Sequence, residues 1–181
     1  MAQKMMVDPL LQKLAKFNFL FVVGFALHTI IFDGGNVLTR QGVYHRWLFF
    51  ALLLAVYTAY WAACKKATKS YQIFRVLLLC VAVELVLAGF ITYWERGMAS
   101  TSTILYALPI ASMALWRSRT YTIGVSILAS ATYALAATKY FYDFFNEGYR
   151  VQLYGEIFFY AVIFIVAGSI IASLAHAAAK K

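Results

Sequence analysis

Six apolar stretches, at residues 16–33, 46–64, 73–94, 101–116, 121–141 and 154–175, fill most of the 181-residue chain, and short charged connections separate them. A bilayer-spanning helix needs roughly 20 mostly apolar residues, whereas a barrel strand needs only about half that number with strict alternation. The runs are continuous rather than alternating, so the pattern predicts an all-α fold. It predicts a polytopic membrane protein built as a six-transmembrane-helix bundle, with residues 1–15 as a separate interfacial helix and 16–181 as the transmembrane domain.

Composition strengthens this picture. Hydrophobic residues make up 64% of the chain and charged ones 13%, more apolar surface than a soluble domain of this length can hide. Charge placement then orients the bundle. With six crossings and a cytoplasmic N-terminus, the inner side holds Lys4, Lys13, Lys16, Lys65, Lys66, Lys69, Arg75, Arg117, Arg119, Lys180 and Lys181. The outer side holds Arg40, Arg46, Arg96, Lys139 and Arg150. That bias places both termini in the cytoplasm, in a bacterial cytoplasmic (inner) membrane. The net charge of +9 is then explained by topology and contact with anionic lipid. No soluble face remains for a basic patch, which excludes nucleic acid as a partner.

Asp8-Pro9 reads as a helix start, with Leu10, Leu11, Leu14 and Phe17 following at helical spacing. The first apolar run is expected to be an uncleaved helix rather than a signal peptide, because no small-residue cleavage site precedes Asp33-Gly34-Gly35. Cys64 and Cys80 fall toward the cytoplasmic side and lack metal-ligand spacing with any histidine, so neither a disulfide nor a metal is expected. Residues 139–150 are dense in aromatics and are expected along the outer membrane surface.

Small residues mark where helices meet. Thr122, Ser126, Ser130, Ala134 and Thr138 recur every four residues in the fifth span. Gly168 with Ala172, and Ser169 with Ser173, do the same in the sixth. Such faces permit close backbone approach, either within one bundle or as the seam of a homodimer.

Four residues stand out as ligand-binding candidates: Glu84, Tyr106, Pro109 and His28. Glu84 falls near mid-bilayer, where a carboxylate costs on the order of 2.5 kcal/mol or more, so it should face the bundle interior. Pro109 lies midway along the fourth apolar run and removes a hydrogen bond to the Leu105 carbonyl, which predicts a kink near the depth of Glu84. Tyr106 lies one turn away, and His28 sits about one turn from the outer end of the first span. No nucleophile–base pair, phosphate loop or paired carboxylate is present, so no catalytic residue is assigned and the chain is not expected to be an enzyme.

The stretch Glu95-Arg96-Gly97-Met98-Ala99-Ser100, followed by Leu105-Tyr106-Ala107-Leu108-Pro109 and the basic hairpin Trp116-Arg117-Ser118-Arg119, resembles the six-transmembrane N-terminal sensor module of bacterial histidine kinases. The resemblance covers mainly residues 90–140. It implies a signal-transduction role in which lipophilic molecules such as quinones are sensed near the motif. Arg96 stands where the family has glycine, and no Pro-Phe step follows Ser100. The family's phospho-accepting His and ATP-binding domain have no counterpart, so no kinase activity is expected.

The leading expectation is therefore a non-catalytic sensor module. It would bind a small or lipophilic ligand among the third to fifth spans and signal to a separate membrane or cytoplasmic protein. Two alternatives fit the same pattern: a substrate-binding subunit of an energy-coupling-factor type transporter, and a structural accessory subunit of a larger membrane complex.

Overall fold

A computed structural model describes residues 2–35, 40–66, 70–97, 100–144 and 150–179. Among them the chain is helical throughout, without a strand: α1 (Ala2–Gly34), α2 (Arg40–Lys66), α3 (Ser70–Trp94), a 3-10 helix (Thr101–Tyr106), α4 (Ala107–Ala114), α5 (Arg119–Phe144) and α6 (Arg150–Ala179). Among the described residues, four segments are long and apolar enough to cross a membrane: Arg40–Ala63, Tyr71–Trp94, Arg119–Phe144 and Val151–Ala177. Two shorter apolar helical segments are Phe17–Ile31 and Thr101–Ala114. At about 2.0 Å rise per 3-10 residue and 1.5 Å per α residue, the latter is roughly 24 Å long, short of the ~30 Å hydrocarbon core.

The outward surface is that of a membrane protein. Leu20, Ile31, Leu79, Ile104, Leu135, Val151 and Phe158 are each more than 65% exposed, while Asn18, Thr29, Arg46, Glu84, Thr92, Thr122 and Ser126 are each under 4% exposed. A water-soluble fold inverts that distribution.

Two compact units divide the chain, Met1–Cys80 and Val81–Lys181. In the first, α1 and α2 form an antiparallel hairpin. Phe25 meets Phe49 with ring centroids 5.1 Å apart, and Arg46 Nη1 lies 2.9 Å from His28 Nδ1. The buried positions follow a strict three-four spacing: Asn18, Val22, Phe25 and Thr29 on α1, and Arg46, Phe49, Leu53, Tyr57 and Tyr60 on α2. Side chains three and four apart share one helix face, so each helix presents a single stripe to its partner.

In the second unit α5 and α6 make the most extensive pairing, and α4 packs on both. Its core joins Leu105, Tyr106, Ile110 and Met113 to Ala129, Tyr133, Ala137, Phe164 and Ala172. The small-residue faces read from the sequence meet here. Thr122, Ser126 and Ser130 are buried on α5, and Gly168 and Ala172 on α6. Each of those three hydroxyls donates to the carbonyl four residues back, at 2.9–3.0 Å, so none is orphaned within the seam. Ser169 and Ser173 likewise bond their own helix.

Three local expectations are corrected. Helix α1 is continuous from Ala2, so Asp8-Pro9 lies inside it rather than at its start. Pro9 removes one backbone donor, and the Met and Leu residues around it are good helix formers that carry the helix through. The mid-span kink expected at Pro109 is instead a change of helix type. The 3-10 helix ends at Tyr106, and Pro109 occupies the first turn of α4, where a missing N–H costs little. The Ala107 amide is shared between the Ile104 and Leu105 carbonyls. Finally, residues 139–144 continue α5 with Phe141 buried, rather than turning away along the surface. Positions 1, 36–39, 67–69, 98–99, 145–149, 180 and 181 lie outside the described residues, as do the side chains of 2–16, 32, 64–66 (Cys64 among them), 70, 150, 178 and 179.

Candidate functional site

The turn between α3 and the 3-10 helix positions the candidate site. Helix α3 ends because Arg96 (φ 74°) and Gly97 (φ 61°) both take the left-handed conformation. Gly97 is also pressed against the Tyr140 ring, where an added Cβ would sit 2.9 Å from the ring edge. The chain then re-enters the unit through Ser100, whose side chain caps the 3-10 helix by accepting from the Ser102 amide at 3.1 Å. The Glu95 carboxylate fastens both ends of the turn, accepting from the Ser100 hydroxyl at 3.2 Å and from the Ser102 hydroxyl at 2.5 Å. Charge-assisted bonds of this kind are among the stronger ones. A second polar contact closes the same end of the unit: Tyr93 and Lys139 both donate to Asp143, each at 2.8 Å.

The geometry delivers Tyr106 to the middle of the core with no exposed surface. Its ring lies perpendicular to Tyr133, centroids 5.9 Å apart, and 5.4 Å from Phe164. Tyr133 in turn lies 4.8 Å from Tyr160. The Thr92 side chain of α3 is a neighbour of the Tyr106 hydroxyl but does not reach hydrogen-bonding geometry. Among the described residues, the hydroxyls of Thr92, Tyr106, Ser112 and Tyr133 are all buried without a hydrogen-bond partner. Native proteins pair the large majority of buried polar atoms, so these four hydroxyls are the polar groups of this unit that call for an explanation.

Of the residues singled out in the sequence, Tyr106 and Pro109 occupy adjacent turns of this core, both buried. Glu84 is buried in the same unit at 3% exposure. It sits eight residues before Thr92, two helical turns or about 12 Å along α3, so it extends the polar stripe rather than touching Tyr106. His28 belongs to the other unit, where its Nδ1 accepts from the Arg46 guanidinium. The ring proton is therefore on Nε2, since a guanidinium cannot accept. The four candidates do not form one site.

Sequence reading missed Thr92, Ser112, Tyr133 and Arg46. Arg46 opens the second apolar run and looks like an interfacial anchor, yet it is 1% exposed. The signal that finds it is its place in the buried stripe of α2. Tyr133 hides among alanines in α5, seven residues beyond Ser126 and therefore on the same buried face. The chain matches no family model, no curated protein and no solved structure.

Proposed function

We propose that the protein is a non-catalytic sensor module of a bacterial cytoplasmic membrane. In this reading it crosses the bilayer six times with both termini inside, and it signals to a separate membrane or cytoplasmic protein. The observation that carries the reading is the set of four buried hydroxyls on α3, the 3-10 helix, α4 and α5 that have no partner. A small or lipophilic ligand bearing a polar group satisfies them, with the buried Glu84 further along the same helix as a second hydrogen-bonding group. The likeness of residues 90–140 to histidine kinase sensor modules agrees with this assignment.

The 3-10 helix gives the site a moving part. At six residues it is longer than most 3-10 runs, and its hydrogen bonds are poorer than those of an α-helix, so it is the segment of this unit that converts most easily. Ligand bonds to Tyr106 favour one setting of that segment. Its neighbour α4 packs on α6 and transmits the change to the C-terminal end.

Tyr106→Phe and Tyr133→Phe test the reading. An empty orphan hydroxyl is a burden of about 1–3 kcal/mol, so its removal stabilises the fold. A hydroxyl that bonds a resident ligand is worth about 1 kcal/mol, so its removal destabilises the loaded protein and stabilises only the delipidated protein, where the hydroxyl is again orphaned. Thermal unfolding of membrane-extracted protein before and after delipidation separates the two, and stabilisation in both states defeats the proposal. Glu84→Gln keeps the shape of the side chain and is expected to preserve folding while altering ligand response.

A further inference from the structure

A groove of about 450 Å³ runs along the second unit between α3 and α5. Gly89 and Ala136 floor it, and Val86, Phe90 and Leu135 wall it. The helices meet at this floor because Gly89 has no side chain: an added Cβ would lie 3.0 Å from the Thr132 methyl. Higher up, Tyr93 meets Tyr140 and Asp143, so the two helices run parallel along the groove. The walls are 52–73% exposed, and the groove therefore opens outward, toward the lipid of a membrane-embedded chain. Its volume lies inside the ~300–1,000 Å³ range of small-molecule sites. From Val86 to Tyr93, and from Thr132 to Lys139, it is about 10 Å long. Tyr93 and Lys139 form its polar end, where the rings of Trp94, Tyr140 and Phe144 also gather. Such a belt of aromatics sits at the headgroup level of a bilayer.

The order of charges at this end narrows the occupant. Lys139 lines the groove itself, and Asp143 follows one turn, about 6 Å, further out along α5. The two side chains are 2.8 Å apart, and at 68% and 28% exposure both can be reached from lipid. Lys139 gives one of its three N–H donors to Asp143. Each Asp143 oxygen accepts one bond, from Lys139 or from Tyr93, and keeps a second lone pair. Outward along the groove the surface is thus apolar, then cationic, then anionic. A zwitterionic phospholipid runs in the complementary order: acyl chain, phosphate, ammonium. A positive group beside Asp143 is favoured a second time, because the last turn of α5 holds no basic residue and a helix C-terminus attracts positive charge. Arg96 is exposed beyond the end of α3, Glu95 is engaged by Ser100 and Ser102, and Glu147 and the Arg150 side chain lie outside the described residues. The match uses Lys139 and Asp143 alone.

We propose that this groove binds one zwitterionic aminophospholipid of the phosphatidylethanolamine class: an acyl chain lies along Gly89 and Ala136, the phosphate accepts from Lys139, and the primary ammonium donates to Asp143. A net-anionic head lacks the group that Asp143 receives and sets its own charge against the carboxylate. The site is independent of the orphaned hydroxyls in the core of the same unit.

The test is native mass spectrometry of the full-length chain in micelles doped with equal amounts of phosphatidylethanolamine, phosphatidylcholine and phosphatidylglycerol carrying the same acyl chains. The wild type is expected to retain one phosphatidylethanolamine about three- to tenfold over either competitor, the scale of one net hydrogen bond. Phosphatidylcholine carries the same charges, but its quaternary ammonium has no N–H to donate. Lys139→Asp combined with Asp143→Lys keeps the ion pair and reverses its order along α5, so it should erase the preference for phosphatidylethanolamine. Should that double variant misfold, Asp143→Ala is expected to erase the preference by removing the acceptor. Val86→Trp fills the groove from an exposed wall position and should lose bound lipid of every class. Equal retention of the three lipids by the wild type, or a preference for phosphatidylglycerol, overturns the proposal. So does an undiminished preference in the folded reversed-pair or Asp143→Ala protein, undiminished lipid in Val86→Trp, or a lipid-free dimer, which would assign the groove to a second copy of the chain.

Discussion

Gly168 of α6 packs so closely on Ser126 of α5 that a Cβ at position 168 would overlap the serine hydroxyl and lie 2.8 Å from its Cβ. Ile110 of α4 closes the third side, 3.5 Å from the same point. The helices approach here because both partners are small, and the Ser126 hydroxyl turns back to the Thr122 carbonyl instead of reaching across. Gly168→Ala is expected to destabilise the protein by about 1–3 kcal/mol, the usual cost of overpacking a filled core. Ser126→Gly in the same chain should recover part of that loss. Reversible unfolding in mixed micelles measures both. An unchanged stability for Gly168→Ala would mean that the seam is open enough to move without strain.

Adjacent residues at the end of α3 should respond to substitution with opposite signs. Arg96 and Gly97 are both left-handed, at φ 74° and 61°. Arg96 is exposed and carries the steric cost of that conformation, so Arg96→Gly is expected to stabilise by about 0.5–1 kcal/mol. Gly97 has the Tyr140 ring where a Cβ would go, so Gly97→Ala adds overlap to backbone strain and should cost about 2–4 kcal/mol. Unfolding of the two variants side by side checks this. A stabilising Gly97→Ala would show that Tyr140 does not press on the turn.

The same turn illustrates what a sequence reveals and what it hides. The runs at 46–64, 73–94, 121–141 and 154–175 correspond to α2, α3, α5 and α6, which extend beyond them by at most six residues at either end. Long continuous apolarity is unambiguous, and helices outlast it wherever water can satisfy their ends. The 3-10 helix was not legible, because Thr101–Tyr106 is as apolar as an α-helix and its geometry comes from Glu95 and Ser100. Which face of each helix turns inward was equally hidden. Facing lipid, the outside is as apolar as the core, so hydrophobic periodicity loses its meaning. The informative residues are then the polar ones. Glu84 was found because a lone carboxylate is conspicuous, whereas Tyr133 passed as an ordinary aromatic.

The Glu95 clamp should be separable from its charge. Glu95→Ala removes the acceptor of two serine hydroxyls and is expected to cost about 1.5–3 kcal/mol. Glu95→Gln keeps one acceptor oxygen and the shape of the side chain, and should cost no more than about half as much. If thermal unfolding finds the two variants equal, charge rather than acceptor geometry holds the turn.

His28 and Arg46 offer the sharpest test in the first unit. Arg46 is 1% exposed, and its Nη1 donates to His28 Nδ1 at 2.9 Å. A cation held away from water depends on each of its acceptors, and one bond to a charged donor is worth about 1.5–3 kcal/mol. His28→Leu is expected to destabilise by that amount, because the charge remains while an acceptor is lost. Arg46→Met in the His28→Leu background removes the charge as well and fills its space with an apolar chain. Replacement of a whole buried polar pair by apolar groups is often neutral, so the double variant should be more stable than His28→Leu alone. A double-mutant cycle followed by unfolding in micelles measures the coupling directly. Simple additivity of the two substitutions would show that Arg46 is held by its other neighbours and owes nothing to the histidine.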